Sequence, residues 1–107
     1  MIHSLVVLRR AWDDIRKIMR WLNRHSPSGM TRWRDALDDC MNEVVHDPHR
    51  FERATEKRLA PYNARQALFH TRRGNTYRVV FLIAGNEVRV LRIRGPGQRN
   101  LRERDFH

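Results

Sequence analysis

A hairpin of two apolar strands is the feature that most constrains how this chain can fold. The residues from Thr76 to Ala84 and from Glu87 to Arg94 are rich in valine, isoleucine, leucine and phenylalanine, which favour strands. Between them, Gly85-Asn86 suits a two-residue hairpin loop. The first of these strands is apolar on both faces after Arg78, which predicts a position in the middle of a sheet. The hairpin therefore needs a further strand beside it.

Two shorter strands are predicted to supply the rest of the sheet. Ser4 to Arg9 contains the run Leu-Val-Val-Leu, which is typical of a strand. Gln66 to Thr71 predicts another strand, which leads into the hairpin through a tight turn at residues 72–75.

Two helices are predicted between the first strand and the others. The first carries apolar residues at helical spacing and ends near residues 23–25, with Asp13 and Asp14 assigned to its first turn. Ser26-Pro27 predicts the N-cap and first residue of a second helix, and Asp47-Pro48 ends that helix. Because the join is so short, the two helices should form an antiparallel hairpin.

The element order β-α-α-β-β-β predicts the fold class. It is an α+β fold in which a helical hairpin packs on a small, mainly antiparallel sheet. The segment from His49 to Ala64 is expected to be irregular. We expect residues 1–107 to form one domain, with a tail from about residue 102 that need not be ordered.

Positive charge is concentrated in the second half of the chain. The whole chain has a net charge of +10. The first 56 residues carry ten Lys or Arg against nine Asp or Glu, whereas the remaining 51 carry twelve against three. A surface with this excess attracts polyanions, of which nucleic acid is the first candidate and acidic protein the second. The alternative is a basic protein without a polyanionic partner.

Six arginines of the second half gather at the end of the hairpin away from its loop. With Gly85-Asn86 as a two-residue loop, Tyr77, Arg92 and Arg94 should share one face of the sheet and Arg78 the other. Such a cluster suits phosphate contact and base stacking, and we predict that carboxylates do not neutralise it until a ligand arrives. The alternative is that the aliphatic part of each arginine side chain packs on the sheet while its guanidinium stays in water. The cluster comprises Arg72, Arg73, Tyr77, Arg78, Arg92, Arg94 and Arg99.

Other reactive side chains give weaker signals. His70 is the one histidine of the strand-rich basic region and a candidate for proton transfer, with a half-buried strand histidine as the alternative. His46 and His49 have no further ligands near them in sequence, so no metal site is predicted. Cys40 falls on the apolar stripe of the second helix, which predicts an inert core residue. The three tryptophans, Trp12, Trp21 and Trp33, are assigned to core and interhelix packing, with a base-stacking platform or a contact with a partner as the alternative.

The motifs of several functional classes are absent from the sequence, so we do not expect those functions. No nucleotide-binding, nucleophile-elbow or zinc motif occurs, so any enzyme here should work without a cofactor. No stretch has the length of a membrane span or the layout of an export signal. A single cysteine cannot form an intrachain disulfide, which fits a reducing compartment. We therefore expect a cytoplasmic protein without a membrane partner.

Three segments together resemble the RelE/ParE superfamily of bacterial toxins. They read "AWDDIRKIMRWLNRHSPSGMTRWRDAL", "DPHRF" and "RQALFHTRRGNTYRVVFLIAGNEVRVLRIRGPGQRNL", and the resemblance extends from Ser4 to Leu101. It implies the same helical hairpin on a small antiparallel sheet. It also implies a toxin that arrests growth and a cognate antitoxin that neutralises it, with which it would form a hetero-oligomer.

The resemblance implies two alternative mechanisms. RelE-like members cut mRNA on the ribosome with the RNA's own 2′-hydroxyl as nucleophile, which makes ribosome-dependent mRNA cleavage our first expectation. In that mechanism Arg78 and Arg99 would stabilise charge on the scissile phosphate. ParE-like members poison DNA gyrase without chemistry of their own, and the long helical hairpin is similar to theirs. A non-toxic module that binds nucleic acid or a protein partner is the remaining alternative. For the antitoxin, we expect an acidic, partly disordered segment.

Overall fold

The computed structural model describes residues 2–71 and 74–96, and it confirms the predicted α+β fold. The segment predicted to be irregular contains two short 3₁₀ helices, at Pro48–Arg50 and Lys57–Tyr62. The helices and strands, in chain order, are β1 (Ser4–Val7), α1 (Arg9–His25), α2 (Pro27–His46), β2 (Arg65–His70), β3 (Thr76–Ala84) and β4 (Glu87–Arg94).

The four strands form one sheet in the order β1-β4-β3-β2. β3 therefore lies inside the sheet, as its two apolar faces predict. The pairs β2–β3 and β3–β4 are antiparallel, whereas β1 runs parallel to β4, with Ser4 opposite Glu87 and Val7 opposite Val90. This parallel pair joins the beginning of the fold to its last strand.

A local signal in the sequence starts α2. Ser26 is the N-cap of α2, and its hydroxyl accepts a hydrogen bond of 3.1 Å from the backbone N–H of Gly29. α1 begins at Arg9, directly after the extended residue Leu8. Asp13 and Asp14 therefore lie in the second turn of α1, and their assignment to the first turn was wrong.

The helical hairpin covers one face of the sheet and encloses the main core. Ala11 and Ile15 of α1, together with Trp33 of α2, are buried against this face. Trp12 and Trp21 do not take part in the core, because they are 47% and 52% exposed, and the assignment of all three tryptophans to packing was wrong for these two. From the sheet, the core includes Ala67, Phe69, Val79, Phe81, Val88, Val90 and Ile93.

A β-bulge changes the register of the hairpin. The pairs Ala84–Glu87 and Phe81–Val90 follow the predicted two-residue loop, but the register shifts between Val80 and Phe81. Arg78 then stands opposite Arg94 instead of Ile93, because β4 carries one additional residue at this point. This shift exchanges the faces of every residue beyond it on β4.

Among residues 2–71 and 74–96, neither helix combines the length and the apolar character that crossing a bilayer requires.

Candidate functional site

Arg78 is held by a carboxylate from a distant part of the chain. Its two terminal nitrogens donate to the two carboxylate oxygens of Glu56, at 2.8 and 2.6 Å, and one of them also donates to Gln66 at 3.1 Å. The Glu56 side chain is 1% exposed and that of Arg78 is 16% exposed. Gln66 in turn donates to Glu52 at 2.9 Å, so the network ties the loop after α2 to β2 and β3. Two parallel hydrogen bonds of this kind fix the guanidinium plane.

Arg92 is held in the same manner by α1. Its Nε and one terminal nitrogen donate to the carboxylate of Asp14, at 2.8 and 3.0 Å. The same carboxylate accepts a hydrogen bond of 2.9 Å from the backbone N–H of Ile93, where β4 continues past the end of β1. Asp14 therefore provides an acceptor at a point of the sheet edge where β1 has already ended.

These two ion pairs correct the prediction for the arginine cluster. Arg78 and Arg92 are neutralised by the protein's own carboxylates, so they do not wait unpaired for a polyanion. The bulge also places Arg92 and Arg94 on the same face as Arg78, because Val80 pairs with Arg92 and Arg78 with Arg94. Neither Glu56 nor Asp14 was a predicted site residue. A signal existed only for Asp14, an acidic residue next to the buried Ile15 on the apolar edge of α1.

Tyr77 lies on the opposite face of the sheet from Arg78, whereas His70 pairs with Thr76 and therefore lies on the same face as Arg78. Tyr77 packs on the helix-facing side, stacked on Phe69 and edge-on to Trp33, with ring centroids 5.6 Å apart in each pair. Burial raises the pKa of the Tyr77 hydroxyl. His70 is exposed at the end of β2, not half-buried. Of the other predicted site residues, Arg72, Arg73 and Arg99 lie outside the described residues, as does the tail from residue 102.

The balanced charge of the first half conceals two oppositely charged helices. α1 carries six Arg or Lys and two Asp, whereas α2 carries two Arg and four Asp or Glu. The positive surface of the described structure therefore includes the outside of α1, which the sum over the first 56 residues does not reveal.

A cleft of about 600 Å³ lies between α1 and the end of β4. Leu8 and Leu91 provide apolar walls, and the charged walls come from both elements. The charged lining consists of Arg9, Arg10, Asp13, Asp14, Lys17 and Arg92. Among the described residues, no group of three His, Cys, Asp or Glu side chains is placed to hold a metal ion.

Cys40 is expected to resist thiol reagents in the folded protein. It is buried in the core, and burial raises the pKa of its thiol to about 11. At pH 8 the thiolate fraction should be on the order of a hundredfold below that of a free cysteine. Labelling with Ellman's reagent should be slow in buffer and fast in urea, and equal rates would contradict a buried thiol.

The raised pKa of Cys40 also predicts how stability depends on pH. The unfolded chain loses the thiol proton first, so the free energy of unfolding should fall as the pH rises from about 9 towards 11.

A sequence profile identifies one family for this chain, and solved structures show the same fold. The sequence profile described as the ParE toxin of the type II toxin–antitoxin system parDE matches residues 5–99. No curated protein sequence matches the chain. A structure of the chromosomal ParDE toxin–antitoxin system from P. aeruginosa is 17% identical with a TM-score of 0.67, covering 88% of this chain and 96% of that one.

A second solved structure has the same fold. The crystal structure of the toxin–antitoxin complex RelBE2 from Mycobacterium tuberculosis is 18% identical with a TM-score of 0.54, covering 89% of this chain and 99% of that one. At these identities the structural likeness concerns the fold alone.

Proposed function

The chain belongs to the family of ParE toxins of type II toxin–antitoxin systems, and from that premise we propose that it arrests growth by binding DNA gyrase. In this proposal it performs no chemistry of its own, acts in the cytoplasm and is neutralised by a cognate antitoxin.

The ion pair between Arg78 and Glu56 carries this proposal. A cation that stabilises a scissile phosphate has to face the substrate with its hydrogen-bond donors available. Both terminal nitrogens of Arg78 donate instead to Glu56, whose side chain is 1% exposed. An incoming phosphate would have to displace a buried carboxylate from the guanidinium that donates two hydrogen bonds to it, which is strongly unfavourable. This favours a toxin that works by binding over one that cuts RNA at Arg78.

Ribosome-dependent cleavage of mRNA is the second candidate. The observation that favours it is the net charge of +10, which suits a surface of ribosomal RNA. In that mechanism Arg78 would exchange Glu56 for the phosphate, and Arg99 would act beside it. His70, exposed at the end of β2, would be the candidate for proton transfer.

The antitoxin partner is proposed to be acidic and partly disordered. Such a segment gains ordered contacts on a basic surface when it binds, and the two proteins would then form a hetero-oligomer. β2 is an edge strand whose first residues already pair with the segment before it, because the N–H of Gln66 donates to the carbonyl of Glu52. Beyond that point, where Leu68 is exposed, its edge is available for the addition of a strand.

Induction of the chain in a bacterial host separates the candidates. We expect growth to stop, incorporation of thymidine to fall before that of leucine, and linearised plasmid DNA to accumulate as gyrase is trapped. Expression of the neighbouring open reading frame in the same cells should restore growth. Early loss of leucine incorporation together with new mRNA ends would indicate cleavage on the ribosome. Unchanged growth would contradict toxicity and favour a binding module.

A further inference from the structure

The outer side of α1 carries a stripe of positive charge. At 100° per residue, its cations fall within an arc of about 120°, opposite the buried Ala11 and Ile15. The stripe extends over about 22 Å of the helix, at 1.5 Å per residue. All of its side chains are exposed. We call it the α1 stripe; it consists of Arg9, Arg10, Arg16, Lys17, Arg20 and Arg24.

The α1 stripe is neutralised at one position. Arg16 forms an ion pair of 2.6 Å with Asp13, and the other five cations have no ion pair with any described residue. The hydrogen bond from Arg16 lowers the pKa of Asp13, so this carboxyl stays ionised. Like charges spaced three, four and seven residues apart on a helix repel one another. The stripe therefore gains stability when a regular array of negative charge lies along it.

Two exposed tryptophans flank the α1 stripe. At 100° per residue, Trp12 lies on one side of the stripe near its beginning and Trp21 on the other side near its end. They are 47% and 52% exposed, and Trp21 stacks on His25 with ring centroids 4.0 Å apart. Large aromatic surfaces beside cations suit stacking on bases or sugars.

The cleft beside α1 continues the positive surface towards the sheet. Arg10 and Lys17 of the stripe line it on one side and Arg92 on the other. The carboxylates that line the cleft, Asp13 and Asp14, form ion pairs with Arg16 and Arg92, so the attraction for an anion comes from the stripe cations on the α1 side, which include Arg9. An anionic chain that follows the stripe therefore has a groove in which to lie.

We propose that the α1 stripe binds the phosphodiester backbone of a nucleic acid, with Trp12 and Trp21 stacking on bases or sugars beside it. Cations that recur every few ångströms along a helix suit a polymer with a negative charge at regular short intervals. The exposed tryptophans distinguish this ligand from an acidic peptide, which has no bases to stack. The proposal goes beyond the proposed function, because binding to nucleic acid requires neither toxicity nor gyrase.

A pair of charge-matched variants tests the proposal. Lys17→Gln/Arg20→Gln removes two charges from the stripe, and Arg32→Gln/Arg34→Gln removes two exposed charges from α2. Fluorescence anisotropy would measure the binding of a 20-base-pair DNA duplex and of single-stranded DNA and RNA of the same sequence. For the stripe variant, we expect duplex affinity at 0.1 M salt to fall on the order of 10- to 100-fold and the salt slope to drop by about 2. The α2 variant should bind nearly as the unchanged protein does.

A tryptophan variant and a comparison of DNA with RNA probes test the proposal further. Trp21→Ala should weaken the binding of single strands on the order of 5- to 150-fold, since each stacked base contributes about 1–3 kcal/mol. Preference between the DNA and RNA probes identifies the nucleic acid. Equal losses in both charge variants, an affinity independent of salt, or binding of a polyglutamate probe but not of nucleic acid would each overturn the proposal. If the Lys17→Gln/Arg20→Gln protein loses this binding but still arrests growth, the toxicity does not depend on the α1 stripe. The two proposals can therefore fail separately.

Discussion

Arg78→Ala is expected to lower the free energy of unfolding by about 3–5 kcal/mol, the usual cost of removing one partner from a buried ion pair. The variant leaves the carboxylate of Glu56, 1% exposed, without the guanidinium that donates two hydrogen bonds to it. It also removes a donor to Gln66. Urea denaturation followed by circular dichroism would measure the loss as a shift of the midpoint.

Arg89→Ala is the matched control for this prediction. Arg89 forms an ion pair of 2.6 Å with Glu87 on the same strand, but the side chains are 48% and 32% exposed. An exposed pair of this kind contributes about 0–1 kcal/mol. Similar losses in the two variants would contradict the view that burial makes the Arg78 pair important. The double variant Glu56→Leu/Arg78→Met should recover much of the stability, because no uncompensated charge remains.

This expected loss governs how toxicity data on Arg78 should be read. A variant that unfolds also ceases to be toxic, so the loss of growth arrest in Arg78→Ala does not by itself indicate contact with a target. The double variant Glu56→Leu/Arg78→Met removes the guanidinium from a folded protein. In the proposed binding mechanism it stays toxic, whereas in RNA cleavage at Arg78 it is inactive.

Asp14→Ala is expected to lower the free energy of unfolding by about 3 kcal/mol. The variant removes the partner of Arg92 and the acceptor for the backbone N–H of Ile93. Asp14→Asn retains an oxygen that can accept from Ile93, so its cost should be smaller, about 1–2 kcal/mol. Urea denaturation would rank the variants, and amide hydrogen exchange at Ile93 should speed up most in the alanine variant.

Asp13→Ala provides the control for Asp14. Asp13 lies next to it on α1, but its ion pair with Arg16 is exposed, at 49% and 58%. We expect the unfolding midpoint of Asp13→Ala to stay near that of the unchanged protein. An Asp14→Ala protein with the same midpoint as Asp13→Ala would show that the carboxylate does not hold β4.

Local signals were sufficient for most of the fold. The Gly85-Asn86 loop defines where β3 and β4 meet, and both strands have the predicted limits. Ser26 and Pro27 mark the start of α2 because a hydroxyl acceptor and a proline each suit that position. Each of these features depends on residues within a few positions of one another, which is the range that a single sequence reveals.

The features that were not predicted depend on long-range pairing. The bulge at Val80 and Phe81 arises from how β3 and β4 pair with each other, and no turn residue in the sequence indicates it. Glu56 and Arg78 are 22 positions apart, and Asp14 and Arg92 are 78 apart. A count of charge along the chain therefore overestimated how much of the hairpin's positive charge is left without a partner.

The charge of the first 56 residues is a second case in which a count along the sequence does not show where the charges lie in the fold. Their sum is nearly balanced, yet α1 has six cations, which helical geometry places on its outer side, and α2 has four acidic residues against two arginines. The apolar residues of α1 reveal its helical period, and its arginines and lysine follow the same period on the opposite side. A sum of charges ignores that period, so it cannot reveal the α1 stripe.

The parallel pairing of β1 with β4 has a consequence for synthesis of the protein. β1 leaves the ribosome before the other three strands, but its partner in the sheet is the last of the four to be made. Asp14 likewise has no Arg92 to bind until then. A nascent chain cannot close its sheet before β4 emerges, so chaperones and proteases meet it in an open state throughout elongation.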